Sequence, residues 1–503
     1  MKLIYIDPPY NTGKDFIYTD DFQDNIRNYR ELTKQTEGGL LLSSNKEIGG
    51  RFHTNWLNMI YPRLIIARRL LSEDGALIVS IGDEEISAMI AILREIFGEE
   101  NHSANFVIIR AEGGGLADQV VKGHDYLLVY AKDISCFQPL RRPKDIRGEI
   151  VKVDEEEFWV EEDWLRKKFG KYGTCPYDEI EKYHGIEKKR EIDEGLSSGR
   201  YKLLTKNNLR IVGRLRKIED DASKFYSVQK HLNTRSSKDL EAINMPEVFD
   251  FPKPISLIRE IVLGGSFFSK KASDIILDFF AGSGTTGHAV LTQNATDGGN
   301  RRYILVQLPE PLSSDNGKQK KAVDFCKSIK KPLNIAELTK ERLRRAGKKI
   351  QEENFDYIGD FGFRVFKLDR SNIRTWQPDS DDLKEALLGN VDHIKSDRSE
   401  EDILYELLLK LGLDLCTSIE TRTIAGKAVR AVGDGVLIAC LEAEIASEEV
   451  ESLTLGIVEW QKQFESTNDV TVVFRDNAFL DDVAKLNMVA IFQQHGLKNI
   501  RSL

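Results

Sequence analysis

Two short stretches hold residues whose types and spacing suit chemistry on a small ligand. The first is Asp7-Pro8-Pro9-Tyr10, which sets an acidic acceptor, a rigid turn and an aromatic ring within four residues. Proline cannot continue a central strand, so the chain turns there. A rigid turn fixes the Asp7 carboxylate and the Pro8 carbonyl as two hydrogen-bond acceptors and leaves Tyr10 to stack on a planar ring. Taken alone, the tetrapeptide reads equally as an ordinary turn with a surface tyrosine. The second stretch is Asp278-Phe279-Phe280-Ala281-Gly282-Ser283-Gly284-Thr285-Thr286, a buried strand running into a loop of small residues that opens a helix. Glycine lets backbone approach a ligand closely, and free N–H groups at a helix start attract an anion. That geometry suits a nucleotide-like ligand. The loop is not a Walker A motif, since no Gly-Lys-Ser/Thr follows, and it lacks the third glycine of the dinucleotide fingerprint.

The surrounding pattern predicts the elements that must position these stretches. The strand Leu3–Ile6 feeds the Pro-Pro turn, and a polar loop with Gly38, Gly39, Gly49 and Gly50 follows. Trp56, Met59, Ile60, Leu64, Ala67, Leu70 and Leu71 recur at helical spacing, with Pro62 as a kink or first turn. Asp74-Gly75 turns the chain into the strand Ala76–Ile81, and a helix over 84–97 and strands over 105–110 and 126–131 come next. Residues 132–243 are charged and mixed in pattern, and read as an inserted domain. Alternation resumes with a helix over 255–263, a strand over 275–280, a helix over 285–291, a strand over 303–307 and a helix over 336–351. Alternating strands and helices imply a mostly parallel sheet covered on both faces. The remainder reads as a separate acidic α+β piece, with strands over 428–432, 436–440 and 471–474.

Composition narrows the class further. The chain has 503 residues, 41% hydrophobic and 30% charged, room for about three or four domains with buried cores. The longest apolar runs are strand-sized, well short of the roughly 20 residues of a membrane span. The start of the chain runs straight into the Pro-Pro turn and does not read as a signal peptide. The five cysteines include no C-x-x-C pair, which disfavours a zinc ribbon or a disulfide scaffold and fits a reducing cytoplasm. His53, His124 and His288 lack metal-ligand spacing, so no metal is expected. The net charge of −9 is unevenly spread. From residue 352 onward 16 basic residues face 29 acidic ones, whereas 200–235 carries ten against three and 318–349 carries twelve against three. Either basic stretch reads as a phosphate-binding patch or as a solvated face.

Together the two chemical stretches resemble the signature of amino-methyltransferases that use S-adenosyl-L-methionine (SAM) and modify exocyclic amines of DNA bases. The order, with Asp7-Pro8-Pro9-Tyr10 ahead of the glycine loop, looks like the beta-class permutation. Further text is similar to the modification (Mod) subunit of type III restriction–modification systems: Asn11-Thr12-Gly13; Trp56, Met59 and Pro62-Arg63-Leu64; Asp74-Gly75 and Ser80-Ile81; Asp297-Gly298-Gly299-Asn300-Arg301-Arg302; Val306-Gln307-Leu308-Pro309-Glu310; and Val473-Phe474-Arg475-Asp476 with Phe479.

The resemblance implies an α/β fold: a Rossmann-like methyltransferase sheet in permuted, beta-class order, an inserted target-recognition domain and a C-terminal α+β domain. The expected divisions are 1–131 for the catalytic half of the core, 132–243 for target recognition, 244–350 for the SAM-binding half and 351–503 for dimerisation or partner docking. It implies Asp7, Pro8, Pro9 and Tyr10 as catalytic residues acting on an adenine flipped from the duplex. For SAM it implies Phe251, Lys253, Asp278, Phe280, Ala281, Gly282, Ser283, Gly284, Thr285 and Gln307. The expected partners are double-stranded DNA, a second copy of the chain and a helicase-nuclease restriction subunit. A cytosine-N4 or RNA amino-methyltransferase, or a recognition subunit without catalysis, remain as alternatives. Family members carry roughly a hundred residues before this strand, whereas six residues precede Asp7 here, a departure that a shortened chain, a misplaced start codon and a split gene would all produce.

Overall fold

The strand Leu3–Ile6 (β1) is buried at every position, the mark of a strand covered on both faces. The computed structural model describes residues 1–11, 36–37, 40–41, 51–112, 120–374 and 394–503, apart from 145, 147, 154–155, 168–172, 219, 250, 270–272, 465–469 and 480. Thr12-Gly13 and the loop glycines Gly38, Gly39, Gly49 and Gly50 lie outside the described residues.

From β1 the chain reaches helix Arg51–Leu70 (α1), strand Ala76–Ile81 (β2), helix Ile86–Phe97 (α2) and strands His102–Ile109 (β3) and His124–Ala131 (β4). An insert contributes strands Ile150–Val153 (β5) and Glu156–Glu161 (β6), helix Ile180–Ser197 (α3) and strands Tyr201–Lys206 (β7) and Leu209–Lys217 (β8). The core then continues with Val228–Lys230 (β9), helix Ile255–Gly265 (α4), Ile275–Asp278 (β10), helix Thr285–Asp297 (α5), Arg302–Leu305 (β11) and helix Ile335–Glu353 (α6).

The main sheet has seven strands in the order β9-β3-β4-β2-β1-β10-β11. β1 pairs in parallel with both β2 and β10, and β10 with β11; β4 runs antiparallel to β2 and β3. Successive side chains of a strand point to opposite faces, and β1 uses both. Ile4 and Ile6 pack with Trp56, Ile60 and Leu64 of α1 and Leu93 of α2. Leu3 and Tyr5 pack with Leu257, Ile258 and Ile261 of α4 and Ala289 and Val290 of α5. The connection through α1 leads from β1 to β2, and that through α5 leads away from it, from β10 to β11. The sheet order therefore reverses between β1 and β10, which leaves a crevice at their carboxyl ends. Ile4 lies opposite Leu277, so Asp7 and Phe280 leave the ladder at the same level.

The insert folds regularly where the pattern had shown only mixed character. Its sheet is antiparallel in the order β7-β8-β6-β5, and its own small core gathers Cys175, Ile180, Ile192 and Val212. The β7–β8 hairpin turns through Asn207 and Asn208 at φ 48 and 60, the left-handed pair that a tight hairpin requires. The composition boundary at 243 runs too far, since β9 has already rejoined the main sheet, with Val228 opposite Val107.

A second compact unit spans 363–503, so the break falls after Gly362 rather than at 351, beyond the end of α6. Helix Glu400–Leu411 (α7) opens it behind a Ser399–Asp402 capping box. Five strands follow: Ile419–Ile424 (β12), Lys427–Val432 (β13), Leu437–Cys440 (β14), Thr471–Phe474 (β15) and Asn499–Ser502 (β16), adjacent in that order. Helices Val450–Gln461 (α8) and Asp482–Gln494 (α9) cover one face. Among the described residues no helix is long and apolar enough to cross a membrane.

Because β1 is buried on both faces, truncation inside it leaves a cavity that neither helix layer closes. Ile4→Ala is expected to lower the stability of the 1–362 unit by about 2–5 kcal/mol, measured by urea unfolding. A loss below about 1 kcal/mol would mean that this face is loosely packed.

Candidate active site

The Pro-Pro turn is held from behind. The Trp56 indole, fully buried on α1, donates from Nε1 to the Pro9 carbonyl at 2.8 Å. The chain leaves the turn through Asn11 at φ 58, a left-handed conformation that asparagine tolerates, and the Asn11 amide donates to Glu85 at 2.7 Å. Gly82, just past β2, makes room for the Tyr10 ring; a Cβ there would lie 2.9 Å from Tyr10 Cδ2.

Lys253, just ahead of α4, brings its ammonium into this turn. Its Nζ lies 3.3 Å from Asp7 Oδ1, 3.0 Å from Asp125 Oδ2 and 2.6 Å from Tyr10 Oη, and 4.9 Å from the centre of the Tyr10 ring. Tyr10 Oη also bonds Ser80 Oγ on β2 at 2.8 Å. Asp125, on β4, pairs with Arg110 as well, at 3.0 Å. Burial lifts the Asp7 carboxyl above the ordinary range, while Lys253 pulls it back and Asp125 pushes it up. Burial alone would lower the Lys253 ammonium, but Asp125 and Asp7 outweigh it and hold the group well above its usual value. Lys253 therefore stays charged and shared between two carboxylates.

The glycine loop is built by the ends of its own strand and helix. Asp278, the last residue of β10, accepts from the Phe280 N–H at 3.0 Å and from the Thr286 hydroxyl at 2.6 Å, tying the loop's start to the first turn of α5. Gln307 accepts from the Gly282 N–H at 2.7 Å, and Thr339 on α6 donates to the Gly282 carbonyl at 2.6 Å. Gly284 caps α5 at φ +79, where a Cβ would also meet Thr339 Cγ2 at 2.9 Å.

These two constructions share one cleft. Asp7, Phe251, Lys253, Asp278, Phe280, Ala281, Gly282, Ser283 and Thr285 line it, with Tyr5, Phe249, Pro252 and Thr286, around about 540 Å³ of empty space including its open mouth. The structure thus brings most of the sequence-predicted residues together across more than 240 positions of chain. It separates others from the wall. Gln307 and Gly284 shape the loop rather than line the cleft, and Tyr10 sits behind Lys253. Lys253 itself, expected on the cofactor side, directs its charge to Asp7 and Tyr10.

Sequence reasoning missed Asp125, Ser80, Arg110 and Arg342. A signal existed for two of them: Asp125 is a charge inside an otherwise buried strand, and Arg342 lies on the apolar stripe of α6 with Leu338 and Ala346. The basic stretch 200–235 also changes character. Seven of its ten cations meet carboxylates: Lys202–Glu149, Lys206–Glu162, Arg210–Asp178, Arg214–Glu161, Arg216–Asp221, Lys217–Glu156 and Lys230–Glu112. Most of the acids come from outside the counted window, so the local excess of positive charge is smaller than composition indicated.

Comparison with known proteins places this arrangement. A family model described as DNA methylase, N6_N4_Mtase, matches residues 1–310. The chain is 30% identical over 428 residues to the Mod subunit of the type III restriction–modification enzyme EcoP15I of Escherichia coli, covering 73% of this chain and 62% of that protein. It is 32% identical over 393 residues to the StyLTI Mod subunit of Salmonella typhimurium, covering 73% of this chain and 56% of that one. It is 28% identical over 355 residues to the type II methyltransferase M.KpnI of Klebsiella pneumoniae, covering 62% of this chain and 76% of that protein. The chain thus spans about three fifths of the length of the Mod subunits it matches.

Burial raises Asp278 to about 7, against the lowering by the Thr286 hydroxyl and the Phe280 N–H. The folded protein therefore keeps a proton that the unfolded chain, near the ordinary value of 3.8, releases. This contribution to stability is full below that ordinary value and is lost as pH rises to about 7. Asp278→Asn is expected to flatten the dependence of stability on pH across that window, read by urea unfolding at several pH values. A variant slope equal to the parent's would assign the proton to another group.

Proposed function

The chain belongs to the DNA methylase family matched over residues 1–310, and from that premise we propose that it transfers a methyl group from SAM to the N6 amine of an adenine flipped out of DNA. The observation that carries this reading is the shared cleft: the Asp7 carboxylate and the glycine loop at Gly282–Thr285 open onto the same space.

The residues of the cleft fit SAM. The loop backbone at Gly282 and the Ser283 and Thr285 hydroxyls lie at the start of α5, where a carboxylate is favoured. Phe249, Phe251 and Phe280 offer apolar faces for a planar base, and Phe251 is 65% exposed at the mouth. Phe280, Ala281, Gly282, Ser283 and Thr285 would hold the cofactor directly. Asp278, Gly284 and Gln307 would act by shaping the loop. SAM supplies an electrophilic methyl group on a sulfonium.

The chain's own residues do the remaining work by placement. An exocyclic amine is a poor nucleophile because its lone pair is delocalised into the ring. The Asp7 carboxylate and the Pro8 carbonyl would accept its two N–H bonds and favour a tetrahedral nitrogen whose lone pair faces the methyl group. The Lys253 ammonium opposes the rise that burial imposes on Asp7 and so favours its ionised, accepting form. Tyr10 would stack on the flipped ring, with its hydroxyl fixed by Ser80 and Lys253. Base entry then requires Lys253 to share the face of Tyr10, and Asp125 keeps the ammonium paired as it does so.

The likeness to Mod subunits supports a wider reading. The main sheet and its helices, including β9, form the catalytic and cofactor halves of the core, the insert between β4 and β9 recognises the target, and 363–503 serves dimerisation or docking of a restriction subunit, in the cytoplasm. The match over 76% of M.KpnI favours a second reading, a type II methyltransferase.

The deciding experiment is transfer from labelled SAM to unmethylated genomic DNA, with the product nucleoside identified by mass spectrometry. N6-methyladenine is the expected product, and Asp7→Ala is expected to reduce kcat by about 100-fold or more while SAM binding persists. N4-methylcytosine would move the target base. SAM binding without product would leave a recognition subunit, and absence of SAM binding would overturn the assignment of the cleft.

A further inference from the structure

Arg342 is fully buried on α6 and sits behind the glycine loop. Its Nη1 donates to Ser283 Oγ at 2.6 Å and to Thr285 Oγ1 at 2.8 Å, both residues of the cleft wall. Its Nε and Nη2 have no hydrogen-bond partner among the described residues. No carboxylate there forms an ion pair with it, although Asp239 acts on it at longer range. A buried cation left this bare carries a large desolvation penalty that an ordinary structural contact does not offset. Burial accordingly lowers Arg342 to about 10, with Asp239 compensating in part.

The hydrogen-bond directions show how the two hydroxyls are set. Thr285 Oγ1 accepts from Arg342 and gives its own proton to the Lys253 carbonyl at 3.3 Å. Ser283 Oγ also accepts from Arg342, so its one O–H remains to be given, either to Thr285 Oγ1 at 3.0 Å or into the cleft. Arg342 thus fixes both hydroxyls as it lends its charge to the start of α5, whose free N–H groups already favour an anion.

We propose that Arg342 is a positioning residue for the carboxylate of the cofactor, acting through Ser283 and Thr285 as the buried positive charge that the carboxylate neutralises. This deepens the reading of the cleft as a SAM site and rests on it. The guanidinium need not touch the ligand: it orients the Ser283 hydroxyl toward the cleft and supplies the countercharge from behind. Such a role predicts selectivity between ligands with and without the amino-acid end.

The test compares SAM and its demethylated thioether, S-adenosyl-L-homocysteine, with 5′-deoxy-5′-methylthioadenosine, a thioether that keeps the adenosine but has no amino-acid end, by calorimetric titration of the full chain; S-adenosyl-L-homocysteine is expected to follow SAM in every variant. Arg342→Met is expected to weaken SAM by about tenfold or more, the scale of one charge-assisted hydrogen-bond linkage, and to leave methylthioadenosine within about twofold. Arg342→Lys, which keeps the charge, is expected to recover part of the SAM affinity. Ser283→Ala, on the loop and away from the buried helix, is expected to show the same selective loss and serves if the Arg342 variants fail to fold. Equal loss of both ligands in these variants would mean that Arg342 only braces the loop, and unchanged SAM affinity would remove its role; either overturns the inference. A parent protein that binds methylthioadenosine and SAM equally well would overturn it too. A parent that binds neither would instead withdraw the underlying assignment of the cleft.

Discussion

The parallel ladder between Leu3–Ile6 and Ile275–Asp278 is the constraint on which the rest of this structure depends. It joins strands from opposite ends of the core and sets them at the point where the sheet order reverses. Each strand is followed by a helix on its own side, which opens a crevice at their carboxyl ends. The register then decides which residues meet there. With Ile4 beside Leu277, the carboxylate that follows β1 and the aromatic start of the glycine loop emerge together. A slip of one residue would turn Tyr5 and Ile6 to the wrong layers, and burial of all four β1 side chains prevents it.

Around that crevice the protein keeps charge under control by sharing it. Lys253 answers to Asp7 and Asp125 at once, and Arg110 relieves Asp125 from its far side. With one acid partner the ammonium would form a single fixed ion pair; with two, it stays paired in the proposed reaction when the base engages Asp7. The glycine loop uses the opposite device. Its backbone is bonded by Asp278, Gln307 and Thr339, which take up the Phe280 and Gly282 N–H groups and the Gly282 carbonyl, so the loop is held firmly by neutral hydrogen bonds and short side chains. Arg342 is the exception, a charge without an acid in hydrogen-bond reach, and it stands where the proposed cofactor would bring one.

Much of this was legible in the residues, and the reason is local. The Pro-Pro turn, the glycine loop and the alternation of apolar strands with periodic helices are encoded within a few positions each, by steric rules that need no distant partner. The strand and helix boundaries in the core shifted by only a few residues. The insert was less readable, because its short strands are half-exposed and charged and their order depends on pairing rather than on pattern. Its basic character misled for the same reason. Charge counted along a window omits the acids that folding brings from elsewhere, and six cations of 200–235 meet such partners.

By itself the sequence determined that there would be two chemical stretches at strand ends, the types of group they carry and the class of sheet behind them. Only the tertiary structure decided that they face one cleft. Only it turned Lys253 toward Asp7, drew Asp125 and Ser80 into the site, made Gln307 a brace of the loop and placed Arg342 beneath it. The physical reason is that hydrogen bonds and ion pairs act over about 3 Å, whereas these partners lie tens to hundreds of positions apart. Their contact is a property of the sheet order and register, which no single stretch of chain contains.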